Sequence, residues 1–233
     1  MHKIEIPQFA LDRIQRRRGR FHQFDRLDPK RTAHVVVDLQ NGFMAEGAVA
    51  EVPVAREIVP NVNRISRALR AAGGLVVYIQ NTIDQAALTG WSNNFAYFSS
   101  PERQARMVEA FTPGADGHAI WPGLEVLPQD LAVRKRRFGA FVPGSSELHA
   151  ILQARRIDTL IITGTVTNVC CESTARDAMM MNYKVVFVSD GNAAFTDEEH
   201  NATLSSMAIL FADVMSTDET VAKLATAQPQ AAE

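Results

Sequence analysis

"DTLIITGTVTNVCCESTARDA", Asp158 to Ala178, is the stretch on which the reading of this chain turns. An apolar run of strand length, "DTLIIT", passes through Gly164 into a segment of helical period, "CCESTARDAMMMN", and the chain's only two cysteines, Cys170 and Cys171, stand at the handover. A strand that runs directly into a helix is the repeating unit of a parallel sheet. Adjacent cysteines at that point are open to four readings: a redox pair, half of a metal site, a nucleophile with a bystander, or two small apolar residues.

Working outward, the same alternation recurs along the chain. Strand-length apolar runs are "HVVVDL" (34 to 39), "GLVVYIQ" (74 to 80), "LAVRK" (131 to 135), "DTLIIT" (158 to 163), "KVVFVS" (184 to 189) and "ADVMS" (212 to 216). Their near-continuous Val and Ile mark strands buried on both faces. Between them, "VAREIVPNVNRISRALRAAGG" reads as an amphipathic helix ended by glycine, with Pro60 as a kink or restart. Later helices are "SELHAILQARRI", "CCESTARDAMMMN" and "TDEEHNATLSSMAILF", the last opened by a capping box of Thr196 and Glu199. No internal repeat is visible. The fold expected is α/β: a three-layer α/β/α Rossmann-like arrangement with a central, mainly parallel six-stranded sheet.

Length and charge narrow the function. At 233 residues the chain can bury one sizeable core. A net charge of -2 gives no general attraction to nucleic acid or to an anionic membrane, which leaves a small molecule as the expected partner. Two cysteines cannot build a disulfide framework, and adjacent ones rarely bridge each other because the ring is strained. No apolar run approaches the ~18 residues of a membrane span and no secretory h-region is visible, so a cytoplasmic protein is expected.

Three regions fall outside the rhythm. Residues 1 to 30 contain "RIQRRRGR", open to reading as a basic tail, a targeting segment or a docked arm; the interspersed Asp12, Asp25 and Asp28 favour the arm, on the body or on a neighbour. Residues 31 to 226 form the expected domain, and 227 to 233 a C-terminal tail. Within the domain the long connection from Asn81 to Asp130, with "TGWSNNFAYFSS" and "WPGLEVLPQD", is expected to carry a helix and part of a substrate wall.

In an open parallel sheet, ligands bind beyond the carboxyl ends of the strands. Asp38 ends the first strand, Lys135 ends the third, and Cys170 follows the fourth. Singly each has a plainer reading: a turn aspartate, one lysine in the solvated basic patch of Arg134, Arg136 and Arg137, and a small core cysteine. Their joint placement at one sheet edge makes a nucleophilic device. A helix N-terminus and the Lys135 cation are expected to lower the thiol pKa, and Asp38 can accept the thiol proton, return it to a leaving amine and then activate water.

The blocks "VVVDLQNGF", "VRKRRFGAF" and "ITGTVTNVCCESTARDA" together resemble the isochorismatase-like hydrolases, a cysteine hydrolase superfamily that includes nicotinamidases, N-carbamoylsarcosine amidase and ureidoacrylate amidohydrolase. The resemblance runs from about Arg31 to Ser216. It implies a triad of Asp38, Lys135 and Cys170, a cis peptide between Thr165 and Val166, and an oxyanion hole from the backbone N–H groups of Val166 and Cys170. Cys171, turned about 100° from Cys170 on a helix, is then a packing residue. The Asp-x-His metal group of nicotinamidases has no counterpart in "IQNTIDQAAL", and the six histidines lack ligand spacing, so neither a metal nor any other cofactor is expected.

"TNVCCESTARDA" and "YIQNT" are most similar to the ureidoacrylate amidohydrolase branch. By that likeness Asn81, and Asn94 with Phe95, are substrate-binding residues. Ile83 stands where the branch has an aromatic, and Phe43 and Phe138 where it has tyrosines, which points to a less polar substrate. Phe43, Trp91, Phe95, Tyr97 and Phe138 are the expected pocket walls, each equally readable as core packing. The function expected is a metal-independent cysteine amidohydrolase acting on a small amide or ureide, assembled as a homo-oligomer, a dimer or tetramer. The alternatives are an isochorismatase-type vinyl-ether hydrolase, a lactam hydrolase, and a non-catalytic interaction protein on the same scaffold.

Overall fold

In a computed structural model that describes residues 1–225, the Val- and Ile-rich runs become six strands: β1 (Thr32–Val37), β2 (Leu75–Asn81), β3 (Leu131–Lys135), β4 (Thr159–Thr165), β5 (Lys184–Ala193) and β6 (Asp213–Met215). They form one sheet in the order β3-β2-β1-β4-β5-β6, with every pairing parallel. Each expected strand is present, and each lies within a few residues of its predicted bounds. The largest difference is β5, which continues past Ser189 to Ala193. Its "SDGNA" segment has the composition of a turn, yet a register shift opposite Ile162 and Gly164 lets it rejoin β4, where Asn192 pairs with Gly164 and Ala193 with Thr165.

The helices are α1 (Gln8–Arg18), α2 (Asn41–Met44), α3 (Val59–Ala71), α4 (Gln85–Gly90), α5 (Ser92–Tyr97), α6 (Pro101–Phe111), α7 (Leu148–Ala154), α8 (Glu172–Met180), α9 (Asp197–Ser206) and α10 (Thr217–Ala225). Successive strand residues serve opposite layers, as the period of two requires. Val35 and Val37 join Leu148, Leu152, Ala175 and Ala178 on one face, while Val36 joins Met44, Val62 and Tyr78 on the other. Pro60 turns out to restart a helix: a 3-10 turn over Pro53–Arg56 precedes it, and it occupies the first turn of α3, where a missing N–H costs nothing. The Thr196–Glu199 capping box forms at the start of α9.

The segment before β1 is an arm docked on its own body. Ala10 and Ile14 of α1 are buried in the same cluster as the sheet, and the backbone N–H groups of Gln23 and Phe24 donate to the buried Asp213 carboxylate. The expected tail, 227 to 233, lies outside the described residues. Among the described residues no helix is long and apolar enough to cross a membrane.

The strand order reverses at the β1–β4 pair, so the carboxyl ends of these two strands border the crevice in which this architecture holds ligands. Gly164 permits their close approach there. Its φ is +128°, and a Cβ added to it would lie 2.0 Å from the carbonyl oxygen of Val37. Gly164→Ala is therefore expected to lower stability by at least about 3 kcal/mol, read as a lower urea midpoint; an unchanged midpoint would contradict the close approach.

Candidate active site

Asp38 is the first residue beyond β1 and has a φ of +54°, the left-handed region that few residues other than glycine adopt. It is held there on both sides: its N–H donates to the Ile79 carbonyl at 3.0 Å, and its own carbonyl accepts from the Gln40 N–H at 2.8 Å. Gln40 in turn ties this bend to β2, accepting from the Asn81 N–H at 2.7 Å.

Lys135 closes β3, and its fully buried ammonium meets three acceptors. Nζ lies 2.7 Å from Asp38 Oδ2, 3.4 Å from Cys170 Sγ and 3.1 Å from the Arg137 carbonyl. Three donors thus face three partners, as a buried ammonium requires. The contact to Asp38 is an ion pair through Oδ2, and a carboxylate offers more acceptor sites than one ammonium fills. Asp38 therefore retains room to accept a proton.

Cys170 sits in a π-helical turn, Thr167–Cys171, between β4 and α8, so the helix proper starts at Glu172, two residues later than the sequence suggests. The peptide between Thr165 and Val166 is cis. Cys171 is fully buried in the sheet–helix core, and both cysteines are free thiols.

The electrostatics correct one expectation. Burial pushes the Cys170 thiol up to about 12, the Lys135 charge opposing this and the Asp38 charge adding to it. The expected lowering does not occur because lost hydration of a thiolate outweighs the field of one lysine. Burial also raises Asp38, against the pull of Lys135; burial lowers Lys135, but Asp38 and Cys170 outweigh it and the net shift is upward. At rest the cluster is one ion pair beside a neutral thiol, with a raised carboxylate as the nearest base.

Next to this cluster is a cleft of about 210 Å³ whose lining includes Asn81, Trp91, Asn94, Phe95 and Phe138. Five expected substrate-binding residues are thus brought together. Phe43 is not among them; it is 6 % exposed and packs on Phe111 with ring centroids 4.7 Å apart. Tyr97, 79 % exposed, is also outside the lining. Asp38, Lys135 and Cys170 do not themselves line the cleft. It adjoins them through Asn81, which pairs with Lys135 across β2 and β3, and through Arg136. Roomier depressions of about 420, 480 and 320 Å³ contain none of the expected catalytic or substrate-binding residues.

Sequence reasoning missed Phe98, Arg103 and Met107, which also line the cleft. The signal for the last two was their spacing of four on α6, which places them on one helix face. Arg136, read as part of a solvated patch, lines the cleft while its Nε lies 2.9 and 2.8 Å from the two oxygens of Asp84, the N-cap of α4. Among the described residues no group of three or more His, Cys, Asp or Glu side chains is arranged to hold a metal ion.

Two outcomes follow from the buried cluster. Lys135→Met removes the charge that holds Asp38 down, so the carboxyl rises further above the unfolded value of ~3.9. A raised folded pKa destabilises progressively as pH climbs through that value, so the variant should lose about 3 kcal/mol at pH 7 and much less near pH 4 in chemical denaturation. A pH-independent loss would contradict the ion pair. Separately, iodoacetamide labelling of Cys170 in the ligand-free protein should keep rising from pH 7 to about 10, past the free-cysteine value of ~8.5. A plateau below pH 8 would show a thiolate at rest.

With this geometry in view, comparison with known proteins is informative. Residues 32–219 match the isochorismatase domain. The chain is 31% identical over 176 residues to the ureidoacrylate amidohydrolase RutB of Agrobacterium fabrum, covering 70% of this chain and 76% of that protein. It is 32% identical over 180 residues to an Arabidopsis thaliana protein named "Probable inactive nicotinamidase", covering 76% of this chain and 88% of the relative. Among solved structures, a cysteine hydrolase from Pseudomonas syringae pv. phaseolicola superposes with a TM-score of 0.77 at 26% identity, covering 90% of this chain and 99% of the other. The chain belongs to the isochorismatase family of hydrolases.

Proposed function

We propose that the protein is a cysteine amidohydrolase that cleaves the C–N bond of a small amide or ureide through a thioester on Cys170. The observation that carries this reading is the Lys135 ammonium between Asp38 and Cys170, at 2.7 and 3.4 Å, with acceptor capacity left on the carboxylate. A vinyl-ether hydrolysis needs only the acid; a cysteine coupled to the same lysine supports the amide chemistry.

Because the resting thiol is neutral, its proton has to leave as the sulfur attacks. Asp38 takes the proton, Sγ bonds to the substrate carbonyl carbon, and the carbonyl electrons move onto oxygen. Lys135 stabilises the sulfur as it becomes anionic, and the N–H groups of Val166 and Cys170 receive the oxyanion. Collapse breaks the C–N bond, and Asp38 returns its proton to the leaving amine. Water then gives a proton to Asp38 and attacks the thioester, the C–S bond breaks, and the proton goes back to sulfur. The chain's own side chains complete both halves.

The cleft suits a small substrate of mixed character. Ile83, Trp91, Phe95, Met107 and Phe138 supply apolar walls, and Asn81 and Asn94 supply amide groups able to donate and accept. The likeness to RutB, a ureidoacrylate amidohydrolase by name, supports a ureide within this class.

Ammonia release measured across a panel of small linear amides and ureides tests the reading. The wild-type protein is expected to hydrolyse at least one of them, and Cys170→Ala and Asp38→Asn should each lower kcat/KM by at least about 10³-fold. Undiminished hydrolysis by Cys170→Ala would remove the nucleophile from the account.

A further inference from the structure

The N-terminal arm ends in a contact that the hydrolysis leaves unused. His2 is half-buried as a residue, but its side chain is only 3% exposed. Its Nε2 accepts the Ala194 N–H at 2.9 Å, and its Nδ1 lies 2.7 Å from Asp197 Oδ1. A backbone N–H can only donate, so Nε2 is unprotonated and Nδ1 carries the hydrogen toward the carboxylate. The same hydrogen bond holds the Asp197 carboxyl below its ordinary value.

The His2 ring also stacks on His200, with centroids 4.3 Å apart and planes 19° from parallel. His200 is fixed in turn. Its Nε2 donates to the Ser189 carbonyl at 2.9 Å, which leaves Nδ1 to accept the Thr167 hydroxyl at 2.9 Å. Burial, with the nearby His2, lowers its pKa to about 4 and keeps the ring neutral.

Two side-chain supports of the turn that precedes Cys170 therefore meet at His2. Thr167 is held by His200, on which His2 stacks. Thr165 donates through its hydroxyl to the Ala193 carbonyl at 3.2 Å, one residue before the Ala194 N–H that His2 captures. Val166 lies between these two threonines. We infer that His2, oriented by Asp197, is a positioning residue for the Thr165–Thr167 turn, so that the N-terminal arm is part of the scaffold of the active site. For catalysis the inference rests on the proposed oxyanion role of Val166; for the order of the turn it stands alone.

Amide hydrogen exchange on the full chain, with kinetics in parallel, tests it. In His2→Ala, exchange across residues 163–171 should accelerate by about fivefold or more while residues 75–81 of β2 stay unchanged. On the substrate found by the ammonia screen, kcat should fall about tenfold with KM within about twofold, the pattern of a displaced transition-state contact. His2→Gln, whose amide oxygen can accept the Ala194 N–H, should recover at least half of the lost protection. Unchanged exchange across 163–171, an equal rise across 75–81, no recovery in His2→Gln, or a local rise with unaltered kcat would each overturn the inference. Should no substrate be found, the exchange measurement still decides whether His2 orders the turn, so the two readings fail separately.

Discussion

The buried ammonium of Lys135 is the constraint on which the site depends. A charge with no solvent exposure is tolerable only where opposite charge and hydrogen-bond acceptors surround it. Asp38, Cys170 and the Arg137 carbonyl meet that demand from three separate segments. Bringing them together requires the sheet order found: β1 and β4 side by side at the reversal, and β3 at the edge two strands from β1, a span that a long side chain crosses. The arrangement of the fold and the arrangement of the charges are thus one problem with one solution.

Burial then sets the chemistry. A thiol pushed up to about 12 stays protonated at neutral pH, and on the proposed mechanism it would become nucleophilic when a carbonyl is placed where proton transfer to Asp38 can accompany attack. The paired cysteines part company on the same grounds. Cys170 touches the lysine, while Cys171 is fully buried in the sheet–helix core with no such contact; burial is the main cause of the raised pKa of both. Adjacency in sequence carried no functional pairing.

Much of this was legible in the residues. Strands buried on both faces announce themselves by unbroken Val and Ile, and groups at their carboxyl ends fall at one sheet edge by topology alone, which is why Asp38, Lys135 and Cys170 could be picked out together. Burial depth was not legible, and it reversed the expected direction of the thiol pKa. Nor was the choice between cleft and core for aromatics of the same type: Phe95 and Phe138 reach the cleft, whereas Phe43 packs on Phe111, because that choice depends on how loops settle over the sheet. The basic segment was read as an arm on the body or on a neighbour, but neither its helix α1 nor its docking partners were legible, since the contacts that hold it pair residues nearly two hundred positions apart, such as Gln23 with Asp213. Shared fold and family fix the reaction class more firmly than the substrate, which is set by cleft walls that vary on a common scaffold.

The central claim is that the sulfur of Cys170, deprotonated by Asp38 during attack, carries the acyl group. Rapid acid quenching during turnover of a substrate from the ammonia screen, followed by mass spectrometry of the peptide containing both cysteines, tests it most directly. The account predicts an acyl adduct whose fragments place the added mass on Cys170. Turnover with the adduct on Cys171, or with neither cysteine modified at any quench time, would contradict it.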